Sequence, residues 1–187
     1  AASLAKEVDG AQELAWSGHL QTEYRFNTNG DQNISWKETR LTLKSEYNSG
    51  SGLHFFSETR LTSRGFPDAK RSSDLMDEEK VAPLQVDLRE AYVDLYGFLF
   101  KNVDLRIGKQ RIAWGAADKL NPTDNINPED LSDIWDFGRH LASNGVKTSI
   151  YFGETAMSIV YLPSFTPAVL PCGNLASVFF SPQESPP

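Results

Sequence analysis

Apolar and polar residues alternate along most of this chain, starting at Leu14. Leu14, Trp16, Gly18, Leu20, Thr22, Tyr24 and Phe26 share one face, and Ala15, Ser17, His19, Gln21, Glu23 and Arg25 share the other. A period of two is the signature of a β-strand. The run Leu14–Phe26 exceeds the usual soluble strand of about 5–6 residues. It is also long enough for a tilted bilayer crossing, which needs about 9–11. Trp16 stands near one end and Tyr24 and Phe26 near the other, as interfacial aromatic girdles require. A turn cluster, Asn27–Asp31 with Asn29-Gly30 inside it, follows.

The same pattern predicts a second strand over 34–47, with Thr39, Leu41, Leu43, Ser45 and Tyr47 opposite Glu38, Arg40, Thr42, Lys44 and Glu46. Ile34 and Trp36 are out of phase with it, which predicts a bulge near Lys37 or a different environment at the strand's start. After the turn 48–52, a third strand sets Leu53, Phe55, Ser57, Thr59 and Leu61 against His54, Phe56, Glu58, Arg60 and Thr62. Glu38–Thr42 recurs as Glu58–Thr62, one strand and one turn later. Antiparallel pairing of the copies would place charges across from one another, each pair contributing roughly 0.2–1 kcal/mol.

Residues 64–85 form a charged, turn-rich loop. A hairpin follows: Ala91, Val93 and Leu95 alternate with Glu90, Tyr92 and Asp94, and, beyond a turn over 96–102, Val103, Leu105 and Ile107 alternate with Asp104, Arg106 and Gly108. Lys109–Gly115 can extend that last strand. In the loop 116–143, Asn127-Pro128 reads as an N-cap and first turn of a short helix through Trp135. Strands over 146–152 and 155–162 follow, then Pro163, Pro167 and Pro171, with 175–180 offering at most one more short strand.

Net charge of −7 and a pI near 5.0 argue against a nucleic-acid partner, because phosphate affinity rests on Lys and Arg. No apolar run is long enough for a helical membrane span. The mean hydropathy of −0.41 is compatible with barrel strands, whose lumen half is polar. Cys172 is the one cysteine, which rules out an intrachain disulfide and a thiolate metal cluster. The small residues Ala1-Ala2-Ser3 suggest a mature N-terminus from which a signal peptide has been removed.

Catalytic chemistry finds no motif. His19, His54 and His140 lie far apart and outside any HExxH pattern, and no serine sits in a nucleophile elbow. The expectation is a non-enzyme without a cofactor. The Asp-rich loop lacks the spacing of an EF-hand, so no metal site is assigned and the loop is expected to pack on or into a barrel.

The segment LREAYVDLYG, the strand NVDLRIGKQ, Trp114-Gly115 and the Asp124–Leu131 loop together resemble a family of large Gram-negative outer-membrane β-barrels known mainly by a domain-of-unknown-function label. Tyr161-Leu162-Pro163 and Phe165-Thr166-Pro167 are similar to it as well. The likeness covers 13–171 and is most specific over 88–165. Such barrels are much longer than this chain, so the resemblance implies their N-terminal part.

The expected fold is therefore all-β, an antiparallel transmembrane β-barrel in meander order, here an incomplete N-terminal portion of about seven to eight strands. Residues 1–12 would be a leader segment, 13–165 barrel strands and loops, with loop 116–143 folded inward, and 166–187 a Pro-rich tail or loop. Glu38, Arg40, Glu58, Arg60, Glu90, Asp94 and Arg106 would line the lumen, and Asp118, Asn121, Asp124, Asn127 and Asp130 would build a constriction. Mixed signs on the wall suit polar or zwitterionic solutes. The expected function is a porin-like channel or exporter in the bacterial outer membrane for a hydrophilic or amphipathic solute, with membrane lipid as its other partner and homo-oligomers allowed. The competing reading is a soluble β-sandwich that binds carbohydrate or a protein.

Overall fold

A computed structural model describes residues 13–26, 34–66, 70, 72, 81–113, 126–132 and 138–170. Seven strands are present: β1 (Glu13–Phe26), β2 (Ile34–Asn48), β3 (Leu53–Ser63), β4 (Leu84–Leu95), β5 (Val103–Gln110), β6 (Ser143–Phe152) and β7 (Thr155–Tyr161). They form one sheet in the order β1-β2-β3-β4-β5-β6-β7, each antiparallel to the next. The all-β meander follows the alternation. The sheet is open, however: β1 and β7 are its edges and do not pair with each other, so these strands alone do not close a barrel. The short segment 175–180 lies outside the described residues.

Register explains how the two faces stay consistent across the sheet. Leu20 pairs with Leu41, Leu41 with Leu61, and Leu61 with Val86. Val93 pairs with Ile107, Ile107 with Val146, and Val146 with Tyr161. All of these belong to one face, and it is uncovered: Leu20 is 68% exposed, Trp16 72% and Val86 71%. The opposite face holds the buried groups, and these are polar, with Thr42 at 2%, Asp94 at 4% and Gln110 at 0%. Few apolar side chains are fully buried, Ile112 and Ala142 among them. This inverts the usual order, in which buried polar groups are the exception.

On the apolar face, Trp16, Phe55 and Phe152 lie towards the strand ends that meet the short turns, and Tyr24, Phe26 and Tyr161 towards the opposite ends. Leu20, Leu43 and Ile107 lie between those two bands. Lys37 and Lys109 share this face's register but sit at strand ends. A hydroxyl pair in its interior, Ser45 Oγ to Ser57 Oγ at 2.9 Å, satisfies itself across strands.

The connections are asymmetric. At one end the chain turns over 49–52, 96–102 and 153–154; at the other it runs through 27–33, 64–83 and 111–142.

Three local expectations are corrected. β4 begins at Leu84, earlier than the charged loop suggested, because the register shifts between Glu58 and Thr59 of β3 and leaves Arg89 unpaired as a bulge. β5 ends at Gln110 instead of running to Gly115: the backbone N–H of Ile112 donates to Asn127 Oδ1 at 2.9 Å, and its carbonyl accepts from Asn127 Nδ2 at 2.7 Å. The same contacts remove the expected helix start, since an Asn127 side chain spent on Ile112 cannot cap. Residues 127–132 are non-helical, with Glu129 and Asp130 bridge-paired instead, and Trp135 lies outside the described residues. The bulge expected near Lys37 appears as a register shift between Arg25 and Phe26, opposite Trp36 and Ile34.

Candidate functional site

All seven proposed lumen residues lie on the polar face. Glu38, Arg40 and Asp94 are buried there, and Glu58, Arg60, Glu90 and Arg106 are partly buried. They divide into three groups along the strands.

Towards the long-loop end, Glu38 pairs with Arg40 two residues along β2 and accepts from Arg64 Nε at 2.9 Å. Towards the short-turn end, Asp94 is the centre. Arg106 donates to it through Nε at 2.6 Å and Nη2 at 3.0 Å, the forked geometry that makes Arg–carboxylate pairs strong. His54 Nδ1 reaches Asp94 at 2.9 Å while Nε2 reaches Glu46 at 2.8 Å. The Arg106 guanidinium also lies 3.9 Å above the Tyr92 ring, which stacks on Phe56 at 5.2 Å between centroids. In both groups each carboxylate has a basic partner: Glu38 has two arginines, and Asp94 has Arg106 and His54.

The middle group differs because the loop joins it. The duplicated Glu-x-Arg segments do pair antiparallel, about Leu41 and Leu61. Their charges nevertheless bypass the cross-strand Glu–Arg contacts expected of them. Lys44 reaches Glu58 at 3.0 Å, and Arg60 stands opposite Thr42. Arg89 is brought to the polar face by the bulge and contacts Asp130 of the loop at 3.5 Å. Arg89 Nη2 also donates to the His140 carbonyl at 3.2 Å.

The loop is held from three sides. Asn127 clamps it to Ile112 as described. Leu141 N–H donates to the Pro128 carbonyl and Asp130 N–H to the Arg139 carbonyl, so 128–130 and 139–141 form a short ladder. On its other side Leu131 N–H donates to the Val169 carbonyl and Val169 N–H to the Glu129 carbonyl. The Asp130 carboxylate accepts from Ser132 Oγ at 2.6 Å and faces Arg139 Nη2 at 3.4 Å. Burial alone would raise its pKa. The Ser132 hydroxyl and amide and the Arg139 and Arg89 guanidiniums outweigh burial and hold it below its ordinary value.

A cavity of about 360 Å³ lies between wall and loop, lined by Lys44, Glu58, Arg60, Arg89, Glu90 and Arg139, among others. Of the proposed constriction residues, Asn127 and Asp130 are buried at this junction, while Asp118, Asn121 and Asp124 lie outside the described residues. Among the described residues no cluster of three metal-ligating side chains occurs.

Arg89, Arg139 and Val169 were not singled out from the sequence. For Arg89 a signal existed: Leu84, Val86 and Leu88 are out of phase with Ala91, Val93 and Leu95, which marks one extra residue between them. The pairing of Val169 with the loop is non-local and left no sequence pattern.

No protein-family model matches the chain, and neither the curated proteins nor the solved structures include a match to it.

Proposed function

We propose that this sheet is part of the wall of an outer-membrane β-barrel, and that its polar face lines an aqueous path for a hydrophilic or amphipathic solute. The observation that carries the reading is the inversion of the two faces: aliphatic and aromatic side chains outside, hydrogen-bonded ions and amides inside. In water so large an apolar surface marks an interface or a membrane contact. Two aromatic bands flanking an aliphatic one fit a bilayer profile, and alternating short turns and long loops fit barrel topology. The open edges agree with further strands completing the ring, as the motif resemblance to large Gram-negative barrels implies. A soluble sandwich is less supported, because it needs a second sheet over the apolar face, and no such sheet occurs among the described residues.

In this reading the segments 126–132 and 138–142 narrow the path. They descend from the long-loop end to Arg89, near the middle of β4. The test is reconstitution of the full-length protein in planar bilayers. Single-channel steps are expected, with larger conductance when 121–133 is deleted. Absence of both conductance and solute flux would overturn the channel reading; unchanged conductance in the deletion would overturn the role of the loop.

A further inference from the structure

The three charge groups on the polar face differ in how their cations are paired. Asp94 and Glu38 each hold basic partners in direct ion pairs. In the cavity beneath the loop, Glu58 is taken by Lys44, and Glu90 Oε2 accepts the Arg111 amide at 3.3 Å. Asp130 lies between Arg89 and Arg139. Arg60 is left over. Its buried Nε has no hydrogen-bond partner among the described residues, and the charges bearing on it are mostly of its own sign, from Arg89, Arg40 and Arg139, with Glu58 opposing.

A half-buried guanidinium among like charges is costly unless something pairs with it. Arginine offers a planar fork of donors that fits a carboxylate or phosphate and keeps its charge at any working pH. The cavity of about 360 Å³ falls at the small end of ligand pockets, which span about 300–1,000 Å³. Its lining is basic although the chain as a whole carries −7. From this geometry we infer that the cavity between wall and loop is a binding site for a small oxyanion group, a carboxylate or phosphate, with Arg60 as its principal ligand and Arg89 and Arg139 beside it. The inference deepens the channel reading by naming the solute's chemical class, and it rests on that reading only in taking this face to be wetted.

The experiment is equilibrium binding to the purified full chain in detergent micelles at low ionic strength, with succinate and inorganic phosphate as separate probes. Saturable binding of at least one probe is expected, weakened roughly tenfold or more in Arg60→Gln, as loss of a charge-assisted hydrogen bond implies. Arg60→Lys should fall between the two. Glu58→Gln should tighten binding several-fold, and Arg25→Gln, remote on β1, should leave it unchanged. Which probe saturates assigns the head group. No saturable binding of either probe, or binding indifferent to Arg60→Gln, overturns the site. Binding in micelles requires no conduction, so binding without conductance retires the channel and leaves the site, and conductance without binding does the reverse.

Discussion

At the residue scale, Asp130 decides whether the loop stays docked. Its carboxylate ties Arg89 of the wall to Arg139 and Ser132 of the loop, and it is 8% exposed. Asp130→Asn keeps the shape and removes the charge, so Arg139 faces a neutral amide and Arg89 keeps Asp87 alone. The expected loss is about 1.5–3 kcal/mol of loop docking, in line with hydrogen bonds to charged groups. Amide exchange at Leu131, Leu141 and Val169 would read it as a tenfold or larger acceleration, with strand amides unaffected. The same carboxyl makes docking pH-dependent. Because its pKa is depressed in the folded state from an ordinary 3.8, its contribution is complete above that value and disappears as pH falls through the lower folded value. An exchange profile across that acidic range should show the loop amides released in the wild type and a flat response in Asp130→Asn. A flat wild-type profile would count against the link between charge and docking.

At the scale of the element, the β4–β5 hairpin is where sequence pattern and backbone constraint meet. Gly108 has φ of +133°, a region that L side chains rarely occupy. A Cβ there would stand 2.3 Å from the Ala91 carbonyl oxygen and 2.8 Å from Tyr92 Cα. Gly108→Ala therefore forces β5 away from β4 at Tyr92, two residues along from the Arg106–Asp94 pair. A loss of about 2 kcal/mol or more is expected, measured by urea unfolding, whereas Ser149→Ala on the neighbouring β6 should cost little. Comparable stability of the two variants would show that the strand gap is not rigid. The alternation of Ala91–Leu95 against Val103–Ile107 made the hairpin legible in advance. The bulge at Arg89 was encoded too, in the phase change after Leu88, yet its consequence required the partner strand: only the pairing of Glu58 with Glu90 and Thr59 with Leu88 turns Arg89 towards the loop.

At the scale of the whole molecule, the surroundings of the apolar face separate membrane from water. Leu20, in the middle of β1 and 68% exposed, gives a direct test. If lipid covers that face, Leu20→Lys should destabilise the protein by about 2–4 kcal/mol in bilayers or micelles. On a water-exposed sheet the same change stays within about 0.5 kcal/mol. Reversible unfolding in lipid vesicles distinguishes the two values, and the smaller one would remove the main support for the barrel wall. His19→Lys, on the opposite face of the same strand, is the matched control and should be tolerated in either setting.

The sequence by itself determined the strands, their faces and their order, because a period of two and short turns are local properties that neighbouring residues enforce. It placed Glu38, Arg40, Glu58, Arg60, Glu90, Asp94 and Arg106 together for the same reason: alternation assigns each to a face before any contact forms. What only the tertiary structure decided is which charges neutralise one another. Asp94 satisfies Arg106 and His54, Asp130 crosses from the loop to Arg89, and Asn127 closes on Ile112 where a helix cap was expected. These contacts join residues far apart in the chain, at positions set by the bulge and by the path of the loop. Ion pairing falls off over a few ångströms, so no one-dimensional pattern could show that Asp87 would turn to Arg89 and leave Arg60 without a carboxylate among the described residues.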